Sequence, residues 1–161
     1  DKGADYGFMP IIKVYGDFGY VDDIVCDNGK PEIVEAKFTN ALLKHKVQAC
    51  RFESNAAGGK VADKIDAEVK KRGGITHITR KFTTSNKETK IQVNSPSIKR
   101  RFLFRANFDK TTEYGVAMNM LVTYVLSGKN KHDDVPDGLS MANEFWESFR
   151  GQKVQIMARP F

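Results

Sequence analysis

The sequence predicts an α/β fold in which a mixed sheet is flanked by helices. Two β-rich segments open the chain, and short apolar strands then alternate with amphipathic helices. Such alternation favours parallel pairing of the later strands, with helices covering the sheet. The 161 residues, 40% hydrophobic and 29% charged, are enough for one globular domain, residues 1–161, with a full apolar core.

The first half of the chain carries the clearest strand and helix signals. Residues 8–15 and 19–26 predict a hairpin around the turn that begins at Gly16. Helical spacing of apolar residues over 31–46 begins at Pro31, a favoured first helical residue. The alternation continues with a strand over 47–52, a helix from Gly58-Gly59 to Gly73-Gly74, and a strand over 75–78.

The second half is predicted to be mainly helical. Residues 86–95 suggest a short helix that Pro96 stops, because proline cannot donate the helical hydrogen bond. A short strand is expected over 102–104 and a helix over 109–127. The final helix follows His132-Asp133-Asp134, and 151–161 is expected to be a tail or strand.

The sequence argues against membrane and disulfide-stapled classes. No apolar run approaches the roughly 20 residues that cross a bilayer. The opening DKGADYGF lacks the basic start and apolar core of a signal peptide. Cys26 and Cys50 show neither CxxC nor zinc-ligand spacing, so we expect two buried thiols in a reducing compartment.

Positive charge is concentrated in one segment. Residues 80–105 hold eight basic residues and one acid, which accounts for the whole net charge of +6. Concentrated positive charge suggests a polyanionic partner, most often nucleic acid, although a solvated basic face is an equal alternative. The candidate phosphate-binding residues are Lys87, Lys90, Lys99, Arg100 and Arg101.

Acidic residues provide a second candidate site. Glu53 ends a predicted buried strand, where sites form in open α/β sheets, although it is also plausible as a surface residue. Asp133, Asp134 and Asp137 open the last helix beside His132, where a single acid would be explained by capping. Several carboxylates close together repel unless a cation lies between them, and oxygen ligands suit Mg²⁺ or Mn²⁺.

Four segments in this order resemble the nuclease domain of the large terminase subunit of tailed phages. They are KGADY at 2–6 with YVDD at 20–23, RFESN at 51–55 followed by Gly58-Gly59, NKETK at 86–90, and HDDVPDGLSMA at 132–142. The resemblance implies an RNase H-like fold of the RuvC and terminase type, with acids that bind two divalent metals. It makes Glu53, Asp134 and Asp137 metal ligands, with Asp133 competing for the place of Asp134, His132 beside them, and a partial contribution from Asp5.

The resemblance also has a departure. The family's first metal-binding Asp ends its first strand, and this chain starts at the second Asp of that pattern. We therefore expect the first strand and its Asp to lie upstream of Asp1, with an ATPase domain before them. No phosphate-binding GxxxxGK[ST] loop occurs in the chain.

The function implied by this resemblance is metal-dependent cutting of double-stranded phage DNA during genome packaging, with weak or absent cutting expected of this chain because the family's first metal-binding Asp is missing from it. The implied partners are duplex DNA, a terminase ATPase domain, the small terminase subunit and the portal. The implied location is the cytoplasm of the bacterial host, at the procapsid portal. Two alternatives stay open: a junction resolvase or transposase-like nuclease of the same fold, and a catalytically silent DNA-binding fragment.

Overall fold

The structure, a computed structural model, describes residues 5–54 and 58–150. Within these residues, two sheets and five helices make up an α/β fold, as the alternating pattern predicts, but the strands form two small sheets rather than the single mixed sheet expected. The strands are β1 Gly7–Tyr15, β2 Phe18–Asp27, β3 Ala49–Glu53, β4 His77–Lys81 and β5 Phe102–Leu103. The helices are α1 Pro31–Lys44, α2 Gly58–Lys71, α3 Lys87–Arg101, α4 Glu113–Thr123 and α5 Asp134–Arg150.

The strands pair within two small sheets. In the order β1-β2-β5, β1 and β2 form the predicted antiparallel hairpin, and β5 runs parallel to β2. The second sheet contains β3 and β4 in parallel. Gly16 makes the tight hairpin turn with a φ of 57°, a conformation that glycine adopts without a steric cost.

A β-bulge in the hairpin sets which side chains face which layer. Ile11 lies opposite Asp23 and Ile12 lies opposite Val21, so Asp22 is an extra residue in β2. The extra residue shifts the alternation of faces by one position, so Val21 packs in the same apolar cluster as Ile24, three residues away, although a regular strand would place them on opposite faces.

Two apolar clusters lie on opposite faces of the hairpin. One joins the sheets to α1 and α2 through Met9, Val25, Leu42, Ile65 and Val69, with Cys50 and Phe52 from β3 packed against it. The other joins β2 and β5 to α4 and α5. Its members are Val21, Ile24, Cys26, Phe102, Tyr114, Ala117, Met120, Val135, Leu139 and Trp146. The helices thus form two layers, which we call the α1–α2 layer and the α3–α5 layer.

The structure corrects three predicted boundaries. Helix α3 does not stop at Pro96 but continues to Arg101, because its far half is bonded to α5. Helix α4 is shorter than 109–127, since the Asp109 side chain accepts hydrogen bonds from Thr111 and holds that segment in a turn. Strand β4 begins at His77 rather than at residue 75. The predicted tail over 151–161 lies outside the described residues.

The two cysteines are free, and neither is exposed. Burial raises the pKa of both thiols to about 12, so they are protonated and unreactive near neutral pH. This agrees with the expected pair of unbridged thiols. In the part of the chain that the structure describes, no helix is long and apolar enough to span a bilayer.

Candidate functional site

The start of the chain meets the start of α5. The backbone N–H of Tyr6 donates to Oδ2 of Asp134 at 3.1 Å, across 128 residues of sequence. The Tyr6 ring also packs edge-on against His132, with ring centroids 5.1 Å apart. These two contacts bring Asp5 into the neighbourhood of the acids that open α5, an arrangement that sequence spacing alone does not reveal.

Asp134 lies in a partly buried, negatively charged environment. Burial raises the pKa of its carboxyl, and the charges of Asp133 and Asp5 raise it further, against the lowering effects of the Tyr6 hydrogen bond and Lys87. Asp5 and Asp133 are therefore each close enough to repel the charge of Asp134. A cation placed among them would relieve that repulsion, as expected for a divalent-metal site.

Lys87 places a positive charge beside the acids at the start of α5. Its ammonium lies 3.2 Å from Oδ1 of Asp133, and about half of the Lys87 side chain is exposed. Burial lowers the pKa of Lys87, but the hydrogen bond to Asp133 and the charges of Asp137 and Asp134 outweigh it, so the pKa is raised. Lys87 thus stays charged and partly balances the acids.

Asp137 is placed differently from its two neighbours. It is buried, and Nζ of the buried Lys90 lies 2.6 Å from its Oδ1, as an ion pair without hydrogen-bond geometry. The pair neutralises the Asp137 carboxylate through its Oδ1, and the predicted role of Asp137 as a metal ligand stays a prediction. The sequence prediction treated Asp134 and Asp137 alike, and the structure separates them.

Helices α3 and α5 run side by side with a row of polar contacts between them, which we call the polar seam. After the Lys87 and Lys90 pairs, Asn143 donates to Oδ1 of Asn94 at 2.8 Å, and Ser97 donates to Asn143 at 3.0 Å. Arg101 ends the seam in an ion pair with Glu147. The contacts advance along both helices in the same direction, from Lys90 and Asp137 to Arg101 and Glu147, so the two helices are parallel and fixed in one register.

The seam corrects the predicted set of DNA-binding residues. Lys90 and Arg101 are buried, and Arg101 also lies over the Trp146 ring at 3.8 Å, so neither cation faces solvent phosphate. Lys99 and Arg100 are exposed and form no ion pair within the described residues. The exposed cationic face of α3 is therefore Lys99 and Arg100, with Lys87 at the far end.

Glu53 ends β3, as predicted, opposite Lys81 in β4. Two contacts place the strand pair against α5. Arg51 lies over Phe145 at 4.3 Å, and Lys81, opposite Glu53, pairs with Glu144 at 3.0 Å, so the ends of β3 and β4 lie beside the second half of α5. Within residues 5–54 and 58–150, no three His, Cys, Asp or Glu side chains, those of Asp5, Asp133 and Asp134 included, are grouped closely enough to hold a metal ion. Convergence of Glu53 with Asp134 stays a prediction.

A groove of about 750 Å³ runs along α4 and was not predicted. It extends from Phe108 and Lys110, across α4 and the loop over 124–132, to Tyr6 and His132. The groove therefore ends beside the acids of α5. The sequence signal that could have indicated it is the lysine-rich loop after α4, which lies outside the basic segment.

Comparison with known proteins adds no family to this description. The chain matches no protein-family model, and no curated protein matches it. The functional conclusion therefore depends on where the chain's own side chains lie.

Proposed function

We propose that this chain is an RNase H-like, terminase-type nuclease domain that cuts double-stranded DNA with Mg²⁺ or Mn²⁺. The observation that carries the proposal is the contact of Tyr6 with Asp134, at the end of α5 where the charges of Asp5 and Asp133 act on Asp134. The antiparallel hairpin followed by parallel β3 and β4, with helices on both faces, supports this fold assignment.

The side chains present suit hard divalent cations. Asp134, Asp133 and Asp5 would supply carboxylate oxygens, and Glu53 would approach from β3. If bound there, two such ions would supply the chemistry that activates a water and stabilises the leaving 3′ oxygen of a phosphodiester. His132, held against Tyr6, would exchange protons beside the acids, and Lys87 would stabilise charge on the substrate.

Asp137 acts in this proposal as a positioning residue. Its pair with Lys90 anchors the first turn of α5 to α3, and the N–H of Asp137 also donates to the carbonyl of Asp133 at 3.0 Å. These contacts fix where Asp133 and Asp134 lie. A misplacement of about 1 Å at such a site can cost roughly 10²-fold in rate.

DNA would bind along the exposed cations of α3. Lys99 and Arg100 would neutralise phosphates without reading sequence, and each contact would contribute about −0.9 to the slope of log affinity against log salt. In the packaging setting that we propose, the other partners are an ATPase domain, a small terminase subunit and a portal in the bacterial host.

The experiment combines metal binding with plasmid nicking. We expect Mn²⁺ to raise the melting temperature of the wild-type chain, because a ligand of the folded state stabilises by about 2.7 kcal/mol at 100 times its Kd. Asp134→Asn should lose most of that rise and nick supercoiled plasmid at least about 100-fold more slowly. Asp66→Asn on α2 is the matched control, since it removes one aspartate charge from the opposite layer.

The outcomes separate the proposed functions. Metal-dependent nicking that Asp134→Asn does not change would remove Asp134 from the site. Duplex binding that Lys99→Glu/Arg100→Glu weakens, without any nicking by the wild type, would favour the DNA-binding alternative. A strong preference for four-way junctions over linear duplex would favour the resolvase alternative.

A further inference from the structure

The groove along α4 has aromatic and apolar walls. Tyr6, Phe108 and Tyr124 line it, and Val122 and Val125, which are 73% and 60% exposed, also lie in it. An exposed apolar surface of this kind on a highly charged protein indicates a binding site. Flat rings and branched aliphatic side chains suit the flat faces of unstacked bases.

The charged residues that line the groove are lysines, while Glu88, Asp133 and Asp137 lie near enough to Tyr124 to add to the rise that burial causes in its pKa. Lys110, Lys129 and Lys131 line the groove, all three are exposed, and no aspartate or glutamate is among the lining residues. Within residues 5–54 and 58–150, none of these three lysines forms an ion pair, whereas Lys87, Lys90 and Arg101 of the basic segment all do. The groove thus offers three lysines without an ion-pair partner among the described residues, on the same surface as its aromatic rings.

The loop that carries two of these lysines is held in one shape. The side-chain amide of Asn130 accepts from the N–H of Val125 and donates to its carbonyl, both at 2.8 Å, and also donates to the carbonyl of Gly128 at 3.3 Å. Lys129 and Lys131 flank this clamp in sequence. Their backbone positions are therefore fixed before any ligand binds, which lowers the entropy lost on binding.

We propose that the groove along α4 binds a single strand of DNA, with bases against Tyr124 and Phe108 and phosphates at Lys110, Lys129 and Lys131. Duplex fits this surface poorly, because its bases are already stacked on one another and present no face to the rings. The reason for such a site rests on the proposed function: the groove ends at Tyr6 and His132, so it would guide a separated strand to or from Asp134.

The test measures binding in EDTA, so its outcome does not depend on cleavage. Fluorescence anisotropy with a labelled dT12 oligonucleotide compares the wild type with Lys129→Glu/Lys131→Glu. We expect about a tenfold or greater loss of affinity and a salt slope that is shallower by about 1.4, since each single-strand phosphate contact contributes about 0.7. Lys30→Glu/Lys60→Glu makes the same charge change at the N-terminal ends of α1 and α2, and should weaken binding less than threefold.

A second variant tests stacking separately from charge. Tyr124→Ala should weaken dT12 binding by roughly 5- to 150-fold, as expected for loss of one stacked base, and should leave binding of a 12-bp duplex unchanged. Tyr124→Phe, which keeps the ring, should restore single-strand affinity. Circular dichroism melts establish that each variant is folded.

Three results would overturn the single-strand site. The first is an equal loss of dT12 affinity in Lys129→Glu/Lys131→Glu and in Lys30→Glu/Lys60→Glu. The second is an unchanged dT12 affinity in folded Tyr124→Ala. The third is a wild type that binds duplex but not dT12. A chain that binds dT12 as expected but never nicks plasmid would keep this site and refute only the proposed nuclease.

Discussion

The two helical layers cover the sheets by different physical means. The α1–α2 layer is held by apolar side chains such as Leu42, Ile65 and Val69, all almost fully buried. The α3–α5 layer has an apolar cluster too, but α3 meets α5 along the polar seam. Apolar packing is non-directional, whereas ion pairs and amide hydrogen bonds are satisfied in only one register.

The difference matters because the proposed site lies in the layer with directional contacts. Asp133 and Asp134 are placed by the first turn of α5, and that turn is joined to α3 through Asp137 and Lys90. Buried ion pairs contribute little net stability compared with apolar replacements, but they can specify one arrangement. We infer that the seam sets the position of the acids and that the α1–α2 layer supplies stability.

The largest expected effect comes from breaking the buried pair. Lys90→Ala would leave the Asp137 carboxylate buried without its partner, and this should cost about 3–5 kcal/mol of unfolding free energy. Urea denaturation measures the change. The exposed pair nearby provides the control, because Lys87→Ala should cost less than about 1 kcal/mol.

A double replacement sharpens the same test. Lys90→Met/Asp137→Leu removes both charges and fills the space with apolar atoms, so stability should return to about the wild-type value or exceed it. If specificity is the role of the pair, metal binding at Asp134 should still weaken in this stable variant. Stability and metal affinity that are both unchanged would contradict that role.

The next effect concerns the apolar layer. Leu42→Ala should cost about 2–5 kcal/mol, because it removes a side chain that is 1% exposed and leaves a cavity. Leu42→Met conserves the volume and should cost less than about 1.5 kcal/mol.

Lys90→Arg also replaces a residue by a chemically similar one. It should be tolerated less well than Leu42→Met, because the planar guanidinium cannot replace a point charge in a closed site. Equal tolerance at the two positions, measured in urea, would erase the contrast between the layers.

Local sequence patterns predicted the α1–α2 layer better than the α3–α5 layer. Helix α1 begins at Pro31 as predicted, and β3 falls within two residues of its predicted start and one of its predicted end. Such elements are encoded by the spacing of their own apolar residues. Helix α3 was predicted to stop at Pro96, and it continues because Ser97 and Arg101 bond to α5, which no local pattern contains.

The candidate site shows the same limit. The acids at the start of α5 were identified from their sequence positions, and Lys87, Lys99 and Arg100 are exposed as a cationic surface requires. The roles of Lys90 and Asp137 could not be separated from those of their neighbours, because each is decided by the other across 47 residues of sequence. The contact of Tyr6 with Asp134 was likewise beyond any local motif.

A smaller effect is expected at the start of the seam. Asn86 caps α3 by accepting from the N–H of Thr89 at 3.3 Å. Asn86→Ala should cost about 1 kcal/mol, and Asn86→Gly only a few tenths, because glycine leaves the N–H groups open to water. Thermal denaturation followed by circular dichroism measures both. If the cap also positions Lys87, Asn86→Ala should weaken duplex binding slightly, and Asn86→Gly less so.

The smallest effect is pH-dependent and belongs to Asp134. Burial, then the charges of Asp133 and Asp5, raise the pKa of this carboxyl in the folded state. The folded state therefore holds its proton to higher pH than the unfolded state, and ionisation of Asp134 reduces stability as pH rises through the raised pKa. Asp134→Asn keeps an oxygen acceptor for the N–H of Tyr6 and removes the charge, so it should raise the melting temperature at pH 7. The gain should vanish below the unfolded-state pKa, near pH 4.

Adding Mn²⁺ should reverse the order of the two melting temperatures at pH 7, so that the wild type melts above Asp134→Asn, because only the charged carboxylate gains from the cation. A melting temperature for Asp134→Asn that is lower than wild type at every pH would mean that the acid acts as an ordinary helix cap, stabilised by the α5 dipole rather than strained by its neighbours.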